Sequence, residues 1–354
     1  MRSTLRTFLP LVFLAALPAC GRDARSAEAD APLTSADSVA RAEDPRAIYG
    51  ATASENIRVV PVEMEVADLP GGWNGMKIAA LSDFQLGLWA DNERVAAAAV
   101  RRALAENPDV FVLLGDYVAR GGDYSALDRI LAPLQGKSVF AVLGHIDEDP
   151  EPEGPDSAQI RIVRALQRNG VRVLRNNRAP FGRNGDTAYI GGVEPFTPRR
   201  PLWRQAEIYS GIPGGRTPVL LAHYPATGLS LPPDKYAAVI TGHTHCGRVE
   251  VPGTPRLTWV NTELYPGTPD PATRRIYRVR GSTLFITCGV GYGFVPVRFG
   301  YPPEVAMVTL RGFSSKAKAD SAAAPPPEAN VDSIIQSYQL RRDSASADTT
   351  EATP

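Results

Sequence analysis

Between residues 77 and 174 short apolar runs alternate with amphipathic stretches, and this alternation limits the fold more than any other feature of the chain. Residues 77–82 (KIAALS) read as a strand. A helical stretch at 91–107 follows, with Val100, Ala103 and Leu104 at helical spacing before Pro108 ends it. Strand signals recur at 109–114, 138–143 and 171–174, separated by helical stretches at 124–134 and 157–169. Strand and helix at this spacing predict an α/β unit. After Pro218 the texture changes to short strands (VLLAHYP, YAAVITGH, then a strand-rich stretch at 274–310), which predicts a mixed or antiparallel second sheet packed on the first. No internal repeat is present.

The ends of the chain read differently. Residues 1–19 carry Arg2 and Arg6 and then an apolar run from Phe8 to Ala19, too short to span about 30 Å of hydrocarbon, so they read as a signal peptide. Its last residues, Leu17-Pro18-Ala19-Cys20-Gly21, resemble the lipobox of bacterial lipoproteins, which predicts lipidation at Cys20; the alternative is an ordinary signal peptide or a short anchor. Either way the chain is expected to leave the cytoplasm, as an envelope protein held at the membrane. Residues 20–55, rich in Ala, Ser, Asp and Arg, suit a flexible tether, and 314–354, with Ala-Pro-Pro-Pro and Ser/Asp/Thr-rich sequence, read as a disordered tail. The folded domain is therefore expected at 56–313.

Charge excludes one class of partner. With 38 Lys+Arg against 38 Asp+Glu there is no net field to attract nucleic acid, and 21% charged residues is too polar for a multi-span membrane protein. Three cysteines are too few for a disulfide scaffold. Histidines number four, and all of them fall just after apolar runs, where open α/β sheets collect ligands. The runs end in Ser82-Asp83-Phe84-Gln85, Gly115-Asp116-Tyr117, Gly144-His145-Ile146-Asp147, His223-Tyr224 and Gly242-His243-Thr244-His245-Cys246. Aspartate and imidazole at strand ends supply the O and N ligands that suit first-row transition metals.

The order Asp-x-Gln, Gly-Asp, Gly-His-x-Asp, His, Gly-His-Thr-His resembles the calcineurin-like metallophosphoesterase superfamily, whose motifs read Asp-x-His, Gly-Asp, Gly-Asn-His-Asp/Glu, His and Gly-His-x-His. The stretch from Cys288-Gly289 through Pro296-Val297-Arg298 to Pro303-Glu304 is similar to the closing region of a bacterial membrane-associated branch. The resemblance implies two central mixed β-sheets packed face to face and flanked by helices, a four-layer α-β-β-α arrangement. It implies two divalent transition metal ions (Mn, Fe or Zn). Asp83, Gln85 and His245 would hold the first, Asp116 would bridge, and His145, His223 and His243 would hold the second. The activity implied is hydrolysis of a phosphodiester, phosphomonoester or pyrophosphate bond, on an envelope lipid, a nucleotide-sugar or a small phosphodiester.

Three positions depart from the family's pattern. Gln85 and Ile146 stand where it has histidines, and His145 stands where it has asparagine. Isoleucine cannot protonate a leaving group, a role that contributes about 10²–10⁴-fold. His145 is thus read as a ligand or as a displaced catalytic histidine, and Asp147 as a replacement acid or part of a solvated acidic loop with Glu148 and Asp149. Arg248 and Arg298 are candidates to hold a substrate phosphate, or are structural. Glu194 is read as a supporting or a loop acid; Trp89, Tyr117 and Tyr224 wall a pocket or pack in the core. Cys246 and Cys288 form a disulfide or remain thiols. The competing function is a catalytically silent metal-binding lipoprotein that keeps the fold for interaction.

Overall fold

A computed structural model describes residues 48–49, 56–119, 121–148, 157–195, 217–225, 236–247, 275–279, 282–293, 296, 298–299 and 301–313. The expected signal peptide with Cys20, most of the tether, the tail and Arg248 lie outside the described residues.

The first six-stranded sheet has the order β2 (Arg58–Ala67), β14 (Glu304–Phe313), β3 (Lys77–Leu81), β4 (Val110–Leu113), β5 (Val139–Ala141), β6 (Arg172–Val173). Strands β3 to β6 run parallel, as crossovers through helices require, and β14 lies antiparallel to β3 but parallel to β2. The crossover helices are α1 (Asp91–Ala105), α2 (Tyr124–Leu131) and α3 (Ala158–Arg168). Local chemistry sets their starts: Asp123 caps α2 through Ser125 N, and the Ser157 hydroxyl caps α3 through Ile160 N.

The second sheet has the order β11 (Ile276–Val279), β12 (Ser282–Ile286), β10 (Tyr236–Thr241), β9 (Thr217–Ala222), β8 (Asp186–Val193), β7 (Asn177–Arg183). Its four inner strands are parallel, and only β11 and β7 at its edges run antiparallel. Of the expected mixed or antiparallel second sheet the mixed form is found, and one expectation is corrected. The second sheet is mixed but mostly parallel, and the last part of the strand-rich C-terminal stretch leaves it, because β14 inserts into the first sheet. Within the stretch read as a tether, β1 (Ile48–Tyr49) pairs with β13 (Arg298–Phe299).

Side-chain alternation sorts the core into two layers. On β3, Ile78 and Ala80 face the second sheet while Ala79 and Leu81 face the helices; on β4, Val110 and Val112 oppose Phe111 and Leu113 in the same way. Central strands buried on both faces thus read as continuous apolar runs. The edge strand β2 instead alternates, with Val60, Val62, Met64 and Val66 inside and Pro61, Glu63 and Glu65 exposed. The layer between the sheets joins Ile78, Val112 and Phe140 to Ile190, Leu221, Ile240 and Phe285. The three helices pack on the outer face of the first sheet, through Val95, Leu127 and Ile162 among others. Both sheets bring the carboxyl ends of their parallel strands to one site.

Candidate metal centre

Asp83 and Gln85 follow β3, Asp116 follows β4, His145 follows β5, His223 follows β9, and His243 and His245 follow β10. The loops that carry them are locked to one another. Asp83 N donates to Gly115 O at 2.9 Å, Gln85 N to Asp116 O at 2.9 Å, and Gly242 N to His223 O at 3.1 Å. This meshing leaves no room for side chains at the glycines of the motifs. A Cβ on Gly144 would lie 2.1 Å from Asp116 Oδ1, and one on Gly242 would lie 2.0 Å from Ser82 Oγ. Asp83, Gln85, Asp116, His243, His245 and Cys246 all have positive φ, six of the ten such non-glycine residues among those described. Such conformations cost about 1–3 kcal/mol each and persist only where the surroundings over-determine them.

Asp116, His145, His223 and His243 present ligand atoms that all lie within 4.8 Å of one another. His145 Nδ1 is 3.1 Å from Asp116 Oδ2, His223 Nε2 is 3.3 Å from Asp116 Oδ1, and His243 Nδ1 is 3.1 Å from His223 Nε2. His223 directs Nδ1 to Leu114 O at 2.8 Å, which leaves Nε2 to face the cluster with its lone pair, as in ligating histidines. His145 is 37% exposed, so the cluster opens to solvent on its side. The second group is smaller: His245 Nε2 lies 3.1 Å from both Asp83 Oδ1 and Gln85 Nε2, and Asp83 Oδ2 accepts from His243 N at 3.1 Å.

The donor set fits a cation. Asp83 Oδ1 and Asp116 Oδ2 are buried oxygens that no donor reaches among the described residues apart from the ring nitrogens of His245 and His145, each 3.1 Å away, a setting that costs free energy unless a positive charge compensates. In the cation-free protein the imidazoles beside the two carboxylates offset part of that cost. Burial works against ionisation of Asp116, yet His145 and His223 hold its carboxyl well below the usual range; against the same burial, His245 pulls Asp83 down. Burial likewise opposes a charged His223, but the Asp116 carboxylate raises it to about 9. His243 is pushed well below its ordinary value by burial and then by the charges of His223 and His145.

Other nominated residues take structural places. Asp147 is neither solvated nor turned toward the cluster's opening: it is fully buried, and its carboxylate accepts from Asp116 N, Tyr117 N and Gly144 N, each at 2.7 Å. Burial and the Asp116 charge push its carboxyl up to about 7, and the N–H groups oppose this. Its role as a replacement acid is corrected to that of a clamp between two motif loops. Arg298 is also corrected: it does not line a phosphate pocket but is fully buried behind His245, donating to Cys288 O and Gly291 O. Glu194 is taken up by Arg175 and Asn176, and Tyr117 belongs to the core, its hydroxyl on Leu113 O and Val142 O. Tyr224 packs on the cluster, 4.2 Å from the His243 ring centroid, while Trp89 bonds Gly293 O. Cys246 and Cys288 form a disulfide.

Sequence reading overlooked Asn92. Its amide bridges Gln85 O and Tyr292 O and accepts from Tyr292 N, tying the first motif loop to the closing region. An asparagine at the second position of an amphipathic helix gives no signal of this. The buried pair Arg275–Glu304 was also overlooked; Glu304 additionally accepts from Thr287 Oγ1 and Cys288 N beneath the disulfide.

This architecture, with acid and imidazole groups converging from the carboxyl ends of strands in two sheets, defines a metallophosphoesterase-type domain. Residues 76–247 match the sequence model of the family described as calcineurin-like phosphoesterase, and the chain belongs to that superfamily. A zebrafish (Danio rerio) "transmembrane protein with metallophosphoesterase domain" is 28% identical over 283 residues; the match covers 75% of this chain and 60% of that protein's length. An uncharacterized metallophosphoesterase of Aquifex aeolicus is 29% identical, covering 72% of this chain and 92% of its own. The phosphodiesterase YaeI of Escherichia coli is 26% identical, covering 60% and 74%. No helix among the described residues is long and apolar enough to cross a membrane.

Proposed function

We propose that the chain is a metal-dependent phosphoester hydrolase, exported and lipid-anchored at Cys20, with Asp116, His145, His223 and His243 as ligands of a divalent transition metal. The observation that carries this reading is the four-residue cluster, in which the buried Asp116 Oδ2 faces the His145 ring and accepts from no backbone or other side-chain donor among the described residues. When bound, a divalent cation there supplies Lewis acidity toward a phosphoryl group and a nucleophile at neutral pH. The chain's own residues orient and shield. Asp147 and Gly144 fix the Asp116 loop, Ile146 N donates to Asp116 Oδ1 at 3.2 Å, and Tyr224 walls the cluster beside His145 and His243. His145 is the imidazole of the cluster that opens to solvent, so in the alternative role, in which it does not bind the metal, it is the group in place to hold a leaving-group proton. Phosphodiesters, phosphomonoesters and pyrophosphates are the bond classes considered, with an envelope lipid or nucleotide-sugar as the natural source.

Ile146 and Gln85 favour a second reading, in which the site binds metal without turnover. Purified protein assayed on bis(p-nitrophenyl) phosphate and p-nitrophenyl phosphate with Mn²⁺, Fe²⁺ and Zn²⁺ separates the two. Turnover that is lost in Asp116→Asn supports the enzyme; tight metal with no turnover on either substrate refutes it in favour of the silent binder. Labelling by fatty acid in cells, lost in Cys20→Ser, tests the anchor.

A further inference from the structure

Resting on the reading of the Asp116 cluster as a cation site, we propose that Arg298 and Gln85 together withhold His245 from coordination, so that the chain retains one divalent cation where the family's pattern calls for two. Arg298 is fully buried on β13. Its Nη1 donates to Cys288 O at 3.0 Å and its Nη2 to Gly291 O at 2.6 Å, and the same Nη2 lies 3.3 Å from His245 Nδ1. A guanidinium has only donors and keeps its proton. The ring nitrogen that faces it therefore offers a lone pair, and a neutral His245 ring carries its proton on Nε2, the atom that faces Asp83 and Gln85.

A ligating histidine has the reverse arrangement: its outer nitrogen gives an N–H to a carbonyl or carboxylate, and its inner nitrogen offers a lone pair. His223 has that arrangement, through Leu114 O. His245 does not. Gln85 accommodates the Nε2–H form, since its amide stands 3.1 Å from Nε2 and, with its oxygen turned to the ring, accepts that proton. The corner then has two carboxylates, Asp83 and Asp116, for a second cation, with an arginine charge directly behind the imidazole. The arrangement is built in, because Cys288, whose carbonyl holds Arg298, is joined by the disulfide to Cys246, the neighbour of His245.

The test uses the full chain loaded with excess Zn²⁺ or Mn²⁺ and then desalted. One equivalent retained, with a Mn²⁺ electron-spin spectrum free of exchange coupling, is the expected result; two equivalents with a coupled spectrum overturn the proposal. Gln85→His with Arg298 intact is expected to stay at one equivalent, and Arg298→Met to gain a second. Two equivalents in the first variant, or one in a folded second, overturn the role of Arg298. Because Arg298→Met removes two buried backbone contacts and can fail to fold, ring-nitrogen NMR on the wild-type chain, which has four histidines, provides an independent reading. One ring, absent in His245→Gln, is expected to stay protonated at Nε2 throughout a Zn²⁺ titration; loss of that proton on metal addition overturns the proposal. Retention of no cation overturns the Asp116 reading itself, and this inference with it.

Discussion

Gly144→Ala is the sharpest single test of how the site is built, because the substitution adds one methyl group and changes no charge. The added Cβ would lie 2.1 Å from Asp116 Oδ1, 2.2 Å from Asp116 N and 2.8 Å from Asp116 Cγ. Contacts of about 3.0 Å or more are needed, so one motif loop must move by roughly 1 Å, and neither is free to do so. Asp116 N is held by Asp147, Gly144 N is held by the same carboxylate oxygen, and Asp116 O accepts from Gln85 N. Overpacking of this kind costs about 1–3 kcal/mol. For a domain of this size that lowers the melting temperature by roughly 2–12 °C. The larger effect is on the metal: displacing a ligand or its support lowers affinity by about 10–100-fold. Differential scanning fluorimetry and Zn²⁺ titration calorimetry read both quantities, with Gly71→Ala as the control, where the nearest atom is 3.8 Å away. If Gly144→Ala matched Gly71→Ala in melting and in Zn²⁺ affinity, the argument that the glycine exists to admit Asp116 would be wrong.

Three further outcomes follow from the same geometry. Asp147→Asn places an amide NH₂ against one of three backbone N–H groups, so the cation-loaded protein should lose about 1–2 kcal/mol in denaturant melts while the shape of its pH–rate profile is unchanged; a lost limb with unchanged stability would make Asp147 a proton donor after all. The Cys246–Cys288 disulfide closes a separation of 42 residues, and its removal in the double serine variant should cost up to about 4 kcal/mol on a chain-entropy basis; melting insensitive to reductant would refute this. His223, raised to about 9 in the cation-free protein, must lose its proton to coordinate, so Zn²⁺ affinity should rise about tenfold per pH unit from 7 toward 9 and then level off; pH-independent binding measured by competition with a chelator would contradict that sign.

The parts of the fold that sequence revealed are those coded locally. β3, β4 and β5 are apolar on both faces because each is buried on both, the three crossover helices carry their own periodicity, and α2 and α3 carry their own caps. Long-range pairing is not coded in that way. β14 pairs with β2 along ten residues, from Glu304 with Arg58 to Phe313 with Ala67, and nothing in either segment names the other. The site shows the same division. Asp83, Asp116 and the histidines were visible because they follow strands, and the strands bring them together. The places of Asp147 and Arg298 were not visible, since a carboxylate spent on backbone N–H groups and a guanidinium buried behind a ring look, as letters, like residues available to a substrate. Gln85 was seen as a departure, but its fit to the His245 tautomer emerged only with Arg298 in place.

The left-handed backbone at Asp83, Gln85, Asp116, His243 and His245 sets the alphabet from which this site can be rewritten. Asn, Asp and His enter that conformation more readily than other side chains, whereas β-branched residues do so only as outliers. Chemistry and backbone therefore select overlapping residues at these positions, and drift away from metal binding is channelled toward amides and small polar groups. An engineer exchanging ligands here works within that subset: Gln85→His keeps the chain path, while valine or isoleucine at the same position would first have to rebuild the turn.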